Sequence, residues 1–127
     1  MHPEEMEVMA KGVWRLLREA LGYLSLSPSE QIEWIDSVGV GVDELALQFD
    51  DGYLPSWSAR EAGWLSNELA GHLDEINQHL SDLTDEGPDP WRSEGLRRHP
   101  TWEQIRSLSR DALSLMPLEP WIGSSTP

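Results

Sequence analysis

Apolar residues recur at helical spacing along most of the chain. Met6, Ala10, Val13, Leu16, Leu17, Ala20, Leu21 and Leu24 predict a helix over residues 4–24 with one face turned inward. Glu4, Glu5 and Glu7 suit the positive end of its dipole. Ser27-Pro28-Ser29-Glu30 marks a second start: the serine caps, the proline fits the first helical position, and the glutamate returns the capping bond. Ile32, Trp34, Ile35 and Val38 carry that helix to Gly39. Val38-Gly39-Val40-Gly41-Val42 alternates like a strand, but no second strand pattern exists for it to pair with, so it reads as an extended connector. Asp43 then reads as the cap of a short helix through about Asp50, with Gly52 as its stop. Leu45, Leu47, Phe49 and Tyr53 are its expected anchors in the core.

Leu54-Pro55-Ser56 reads as a loop, and Ser58-Ala59-Arg60-Glu61 as another capping box. Gly63 is expected to interrupt that helix and Ser66 to restart it, one unbroken helix from Ser58 being the alternative. Leu65, Leu69, Leu73, Ile76, Leu80 and Leu83 then form one stripe, which marks a central core helix. Residues 84–90 are loop, and Asp89-Pro90-Trp91 opens a short helical turn through Leu96. Pro100 opens the last helix. Its expected buried face is Trp102, Ile105, Leu108, Ala112, Leu113 and Met116, and its expected polar face Glu103, Arg106 and Arg110. The reading is an all-α, compact bundle of five or six helices with short loops: one helical domain over residues 1–116 and a C-terminal tail over 117–127, pinned by Trp121.

Charge changes this picture more than composition does. Residues 20–91 carry 15 acids and a single base, Arg60, so this block accounts for the net charge of -14. Such a field repels nucleic acid and membrane surfaces and attracts basic partners. Lys11, Arg15 and Arg18 form a basic stripe near the start, and Arg92, Arg97, Arg98, Arg106 and Arg110 a basic end. Both are expected to be solvated or to pair internally with the acidic middle. The absence of cysteine removes disulfides, thiolate metal sites and a cysteine nucleophile. An acidic start without an apolar run gives no secretory signal, so a cytoplasmic location is expected. Seven tryptophans are too many for a domain of 127 residues to bury completely, and half-exposed indoles often anchor contacts.

Candidate chemistry is thin. Glu68, His72, Glu75 and His79 make one stripe at one-turn spacing that could ligate a metal. Metal sites in bundles draw ligands from facing helices, however, and only Asp50 and Asp51 offer them, so pairing on a wet surface is the preferred reading. Adjacent Asp50 and Asp51 point about 100° apart on a helix and cannot share one substrate atom. No nucleophile elbow and no phosphate loop is present. The chain is expected to be no enzyme and to carry no cofactor or metal.

The order of motifs resembles another kind of protein. Asp43-Glu44-Leu45-Ala46-Leu47-Gln48-Phe49-Asp50-Asp51-Gly52-Tyr53 is followed by Gly63-Trp64-Leu65-Ser66 and the long Leu/Ile helix. Trp91, Leu96 and the closing Pro100-Thr101-Trp102-Glu103-Gln104-Ile105-Arg106, with Leu108, complete it. Over roughly residues 28–115 the pattern resembles the small helical immunity proteins of bacterial contact-dependent or polymorphic toxin systems. His99 stands before Pro100 where such a protein is expected to have an acidic cap. The resemblance implies a protein without chemistry of its own that neutralises a cognate toxin by binding it. The charge suggests a nuclease toxin with a basic active-site cleft. Expected contacts are Asp43, Glu44, Asp50 and Asp51, with Asp74, Glu75, Trp57 and Trp64 behind them. The competing readings are an acidic nucleic-acid mimic or regulatory adaptor, and a metal-dependent helical-bundle enzyme.

Overall fold

The computed structural model describes residues 2–122. The chain runs α1 (Pro3–Leu24), α2 (Pro28–Val38), α3 (Asp43–Tyr53), α4 (Trp57–Glu61), α5 (Asn67–Asp85), a 3₁₀ turn (Asp89–Trp91), α6 (Ser93–Arg98) and α7 (Pro100–Ser114). Five helices of eleven residues or more and two short ones, with no strand among the described residues, make the expected all-α bundle. Met1 and the last five residues of the expected tail lie outside the described residues.

α1 lies along α3 and also meets α7 and α4, while α5 lies along α7. The four longer partners α1, α3, α5 and α7 enclose a core of Trp14, Leu17, Leu21, Phe49, Leu69, Leu73, Ile76, Trp102 and Ile105, all within 1 % of full burial. Each such side chain contributes about 1.5–3 kcal/mol relative to exposure. α2 closes one end of the bundle against α6.

Local signals account for several boundaries. Ser27 Oγ accepts from the Glu30 amide at 3.2 Å, and the Ser27 amide donates back to the Glu30 carboxylate at 3.1 Å. The Ser27 amide first, and the Ser27 hydroxyl second, hold the exposed Glu30 carboxyl below its usual range. Gly39 ends α2 at φ +72°, a conformation in which glycine avoids the Cβ penalty. Ser66 caps α5 as expected, through its Oγ and the Leu69 amide at 3.1 Å. Before Pro100, the cap is His99 itself: its Nδ1 accepts from the Thr101 amide at 3.1 Å, so Nε2 carries the hydrogen that faces Glu86 at 2.9 Å.

Several expectations are corrected. Asp43 is the first residue inside α3; the cap position holds Val42, which is buried. Gly52 does not stop α3 but sits inside it, buried where α3 crosses α1. A Cβ there would lie 2.9 Å from the Leu17 Cα and N, so only glycine permits this approach. Leu47, expected in the core, is 51 % exposed, and Leu16 of α1 is likewise exposed. Ser58 is no cap: it lies buried within α4, and its Oγ donates to the Pro55 carbonyl at 2.9 Å.

Arg106 is the largest departure. Expected on a polar face, it is 1 % exposed. Its Nε donates to Gln31 Oε1 at 3.0 Å, one terminal nitrogen to Glu103 at 3.1 Å, and the other to the Leu96 carbonyl. Gln31, fully buried, passes the connection on by donating to the Tyr23 and Leu24 carbonyls, both at 3.1 Å. One guanidinium thus ties α7, α6, α2 and the end of α1 together. Burial lowers its proton affinity and Glu103 opposes that shift. A guanidinium nevertheless keeps its charge, which is why it needs all these acceptors.

The basic stripe of α1 grips the start of the tail, not the acidic middle. Arg18 Nε donates to the Met116 carbonyl and Trp14 Nε1 to the Pro117 carbonyl, both at 2.9 Å. The Trp121 ring packs on Trp64 at 5.2 Å, with the Arg15 guanidinium 5.1 Å and the Lys11 ammonium 5.5 Å from its centre. The expected pinning by Trp121 is therefore present, and it uses cation–π contacts.

Candidate binding surface

Most basic side chains of the described residues find partners close by, Arg60 and Arg97 excepted. Arg92 pairs with Asp89 at 3.0 Å, Arg98 with Glu94 at 3.3 Å, and Arg110 with Glu103 at 3.5 Å. Lys11 pairs with Glu7 at 3.5 Å. The expected internal pairing of the basic end with the acidic block is met only at the end of that block, by Asp89 with Arg92 and Glu86 with His99. Among the described residues, no carboxylate between Glu30 and Asp85 has a Lys, Arg or His nitrogen within ion-pair distance. All of them are exposed except Glu44 and Asp50, which are half-buried. Helices α2 to α5 therefore present uncompensated negative charge to solvent.

α3 carries the densest part of this surface. At about 100° per residue, Asp43, Leu47, Asp51 and Leu54 fall along one side of it, opposite the buried Leu45, Phe49 and Gly52. The ridge is mixed: Leu47 is 51 % and Leu54 is 72 % exposed between the carboxylates. Asp50 flanks it, and burial first and the charge of Asp51 second push its carboxyl above the usual range. Glu44 and Asp51 meet Leu16, Glu19 and Gln48 in a shallow groove between α1 and α3.

The ridge ends at an open pocket of about 280 Å³ between the end of α3, α4 and the start of α5. Tyr53, Leu54, Trp57, Arg60, Leu65, Leu73 and Asp74 line it. Tyr53 stacks on the buried Phe49 at 5.1 Å and donates its hydroxyl to Asp74 at 2.7 Å, which joins α3 to α5. Burial first, then that bond and the Asp74 charge, push the phenol up to about 12. Trp57, 48 % exposed, stands at the rim with Leu54.

Of the residues singled out in the sequence, the fold gathers Trp57 and Asp74 at this pocket and sets Asp50 and Asp51 one turn before it. Asp43 and Glu44 lie at the far end of α3, about 15 Å along the axis from Tyr53. Glu75 points away from Asp74, into a groove with His79, Gln104 and Leu108 between α5 and α7. Trp64 is half-buried between Trp14 at 6.3 Å and Trp121 at 5.2 Å, so its ring is engaged in packing. Sequence reasoning missed Leu47, Leu54, Tyr53 and Arg60 as surface elements; the signal for Arg60 was its isolation as the one base of the acidic block.

Among the described residues, no group of three His, Asp, Glu or Cys side chains is placed to hold a metal, the Glu68/His72/Glu75/His79 stripe included. No helix there is long and apolar enough to cross a membrane. In comparisons with protein-family models, curated proteins and solved structures, nothing matches this chain.

Proposed function

We propose that this protein is a binding inhibitor of a basic protein partner, an immunity protein that neutralises a cognate bacterial toxin domain. The observation that carries the reading is the absence of basic partners for the carboxylates from Glu30 to Asp85 among the described residues. Leaving so much like charge unpaired opposes folding, and a cationic partner relieves it on binding. The acidic ridge of α3 steers such a partner and fits the basic cleft of a nuclease, while Leu47, Leu54 and Trp57 supply apolar contact. The protein itself performs no chemistry in this role, and it acts in the compartment where the toxin would do damage, the bacterial cytoplasm.

The test is a pull-down with the product of the adjacent upstream gene, followed by binding kinetics. The expected result is one tight, salt-sensitive complex, in which Asp50→Lys with Asp51→Lys slows association and lowers protection of growing cells. Unchanged affinity and protection would remove α3 from the interface. An acidic nucleic-acid mimic would instead bind several unrelated nucleic-acid-binding proteins with similar strength. A stoichiometric transition metal in the purified protein would turn the reading toward a metalloenzyme.

A further inference from the structure

The pocket at the end of the α3 ridge says what the partner must insert. One side of it is apolar, made by Leu54, Leu65, Leu73, Ala70 and the Trp57 indole; Tyr53, Ser56, Arg60 and Asp74 complete the lining. Three of the exposed large apolar side chains, Leu47, Leu54 and Trp57, lead along α3 and across to it. An exposed apolar path of this kind, on a surface otherwise dominated by carboxylates, marks an interaction site.

A second copy of this chain is a poor occupant, because its matching face is also acidic and the two would repel. A nucleic acid or an anionic membrane is repelled for the same reason. The remaining question is whether a cation or an apolar group enters the pocket. Arg60, the one base between residues 20 and 91, lines it and has no carboxylate within ion-pair distance among the described residues. It disfavours a lysine or arginine head group inside. Asp74 lines the pocket, and Asp50 and Asp51 lie one turn before it on α3, where they suit cations beside the anchor.

We propose that the pocket of Leu54, Trp57, Arg60, Leu65 and Asp74 takes one uncharged apolar or aromatic side chain from a basic protein segment, with flanking lysines or arginines on Asp50, Asp51 and Asp74. The inference rests on the reading of a basic protein partner and names its anchor. The Tyr53–Asp74 bond holds the pocket open by fixing α3 against α5. Trp57 closes over the inserted group as an amphipathic lid whose ring is already partly desolvated.

The test uses two synthetic peptides with four lysines each, one centred on phenylalanine and one on serine, titrated into the full chain. The readouts are the Trp57 indole NMR signal and the dissociation constant. The expected result is at least about tenfold tighter binding of the phenylalanine peptide, the scale on which a site distinguishes burial of one such side chain. That preference should vanish in Leu54→Ser with Trp57→Ala, both exposed positions whose loss leaves the helical circular dichroism unchanged. Arg60→Glu should let a lysine-centred peptide compete with the phenylalanine one. Equal binding of the two peptides, or a preference that survives the double variant, overturns the anchor while leaving the acidic surface as a cation-binding face. If neither peptide binds, both the anchor and the reading of a basic partner fall.

Discussion

Arg106 Nε donates to Gln31 Oε1 at 3.0 Å across 75 residues of sequence, deep inside the bundle. With the smaller Ser58 and Ser109 they are the buried polar residues, and every buried side-chain nitrogen and oxygen among the described residues has a partner. A buried charge is tolerable only on those terms, because removing one partner leaves the other desolvated and unbonded.

Gln31→Leu therefore strands the Arg106 Nε–H and the Leu24 carbonyl, and leaves the Tyr23 carbonyl with the Leu26 amide alone. The expected loss is about 2–4 kcal/mol of folding stability, read by urea unfolding. Gln31→Leu combined with Arg106→Met should lose less than the sum of the single variants, which a double-mutant cycle measures. Additive losses would mean the two residues act independently.

Gly52→Ala tests the crossing of α1 and α3. In an isolated helix the change gains about 1 kcal/mol. Here the new methyl meets backbone atoms of Leu17 at 2.9 Å, which cannot rotate away as a side chain would. Overpacking of this kind loses about 1–3 kcal/mol, so the variant should be less stable than the native chain. A rise in Tm would show that the helices separate freely at this point.

The Tyr53 phenol gives a pH signature. Its ordinary value is 10.0 and the folded environment raises it to about 12. A raised value means the fold favours the protonated form. Its contribution is fully present below about pH 10 and is lost as pH rises through the range from about 10 to about 12. Alkaline unfolding should therefore be shallower in Tyr53→Phe, and the late step in the phenolate absorbance titration should disappear. A native chain whose tyrosines titrate entirely before unfolding begins, near the ordinary value, would contradict this.

Asp50 separates folding from binding. Burial, and then Asp51, push its carboxyl upward, so the ionised form is disfavoured by the fold; the opposition is absent at acid pH, sets in as pH rises past the ordinary carboxylate value and is complete above the raised one. Asp50→Asn should leave Tm at neutral pH unchanged or higher, while slowing association with the basic partner at low salt. A variant that loses stability at neutral pH would show that the carboxylate has a structural role instead.

The sequence by itself determined where α2, α5 and α7 start and where α2 stops, since Ser27, Gly39, Ser66 and Pro100 act within one turn of themselves. It also determined the acidic block, because charge follows from composition alone. What it could not determine is which side of a helix meets which neighbour. Leu47 reads as core by residue type, yet it lies on the side of α3 away from Gly52, whose missing Cβ brings α1 close on the other face. Arg106 reads as surface by residue type, yet acceptors from α2 and α6 make its burial possible. The cationic stripe of α1 was visible, but that it holds Trp121 instead of neutralising the carboxylates depends on where the chain after α7 returns. These features rest on contacts between residues far apart in sequence, and such contacts exist only once the helices have packed.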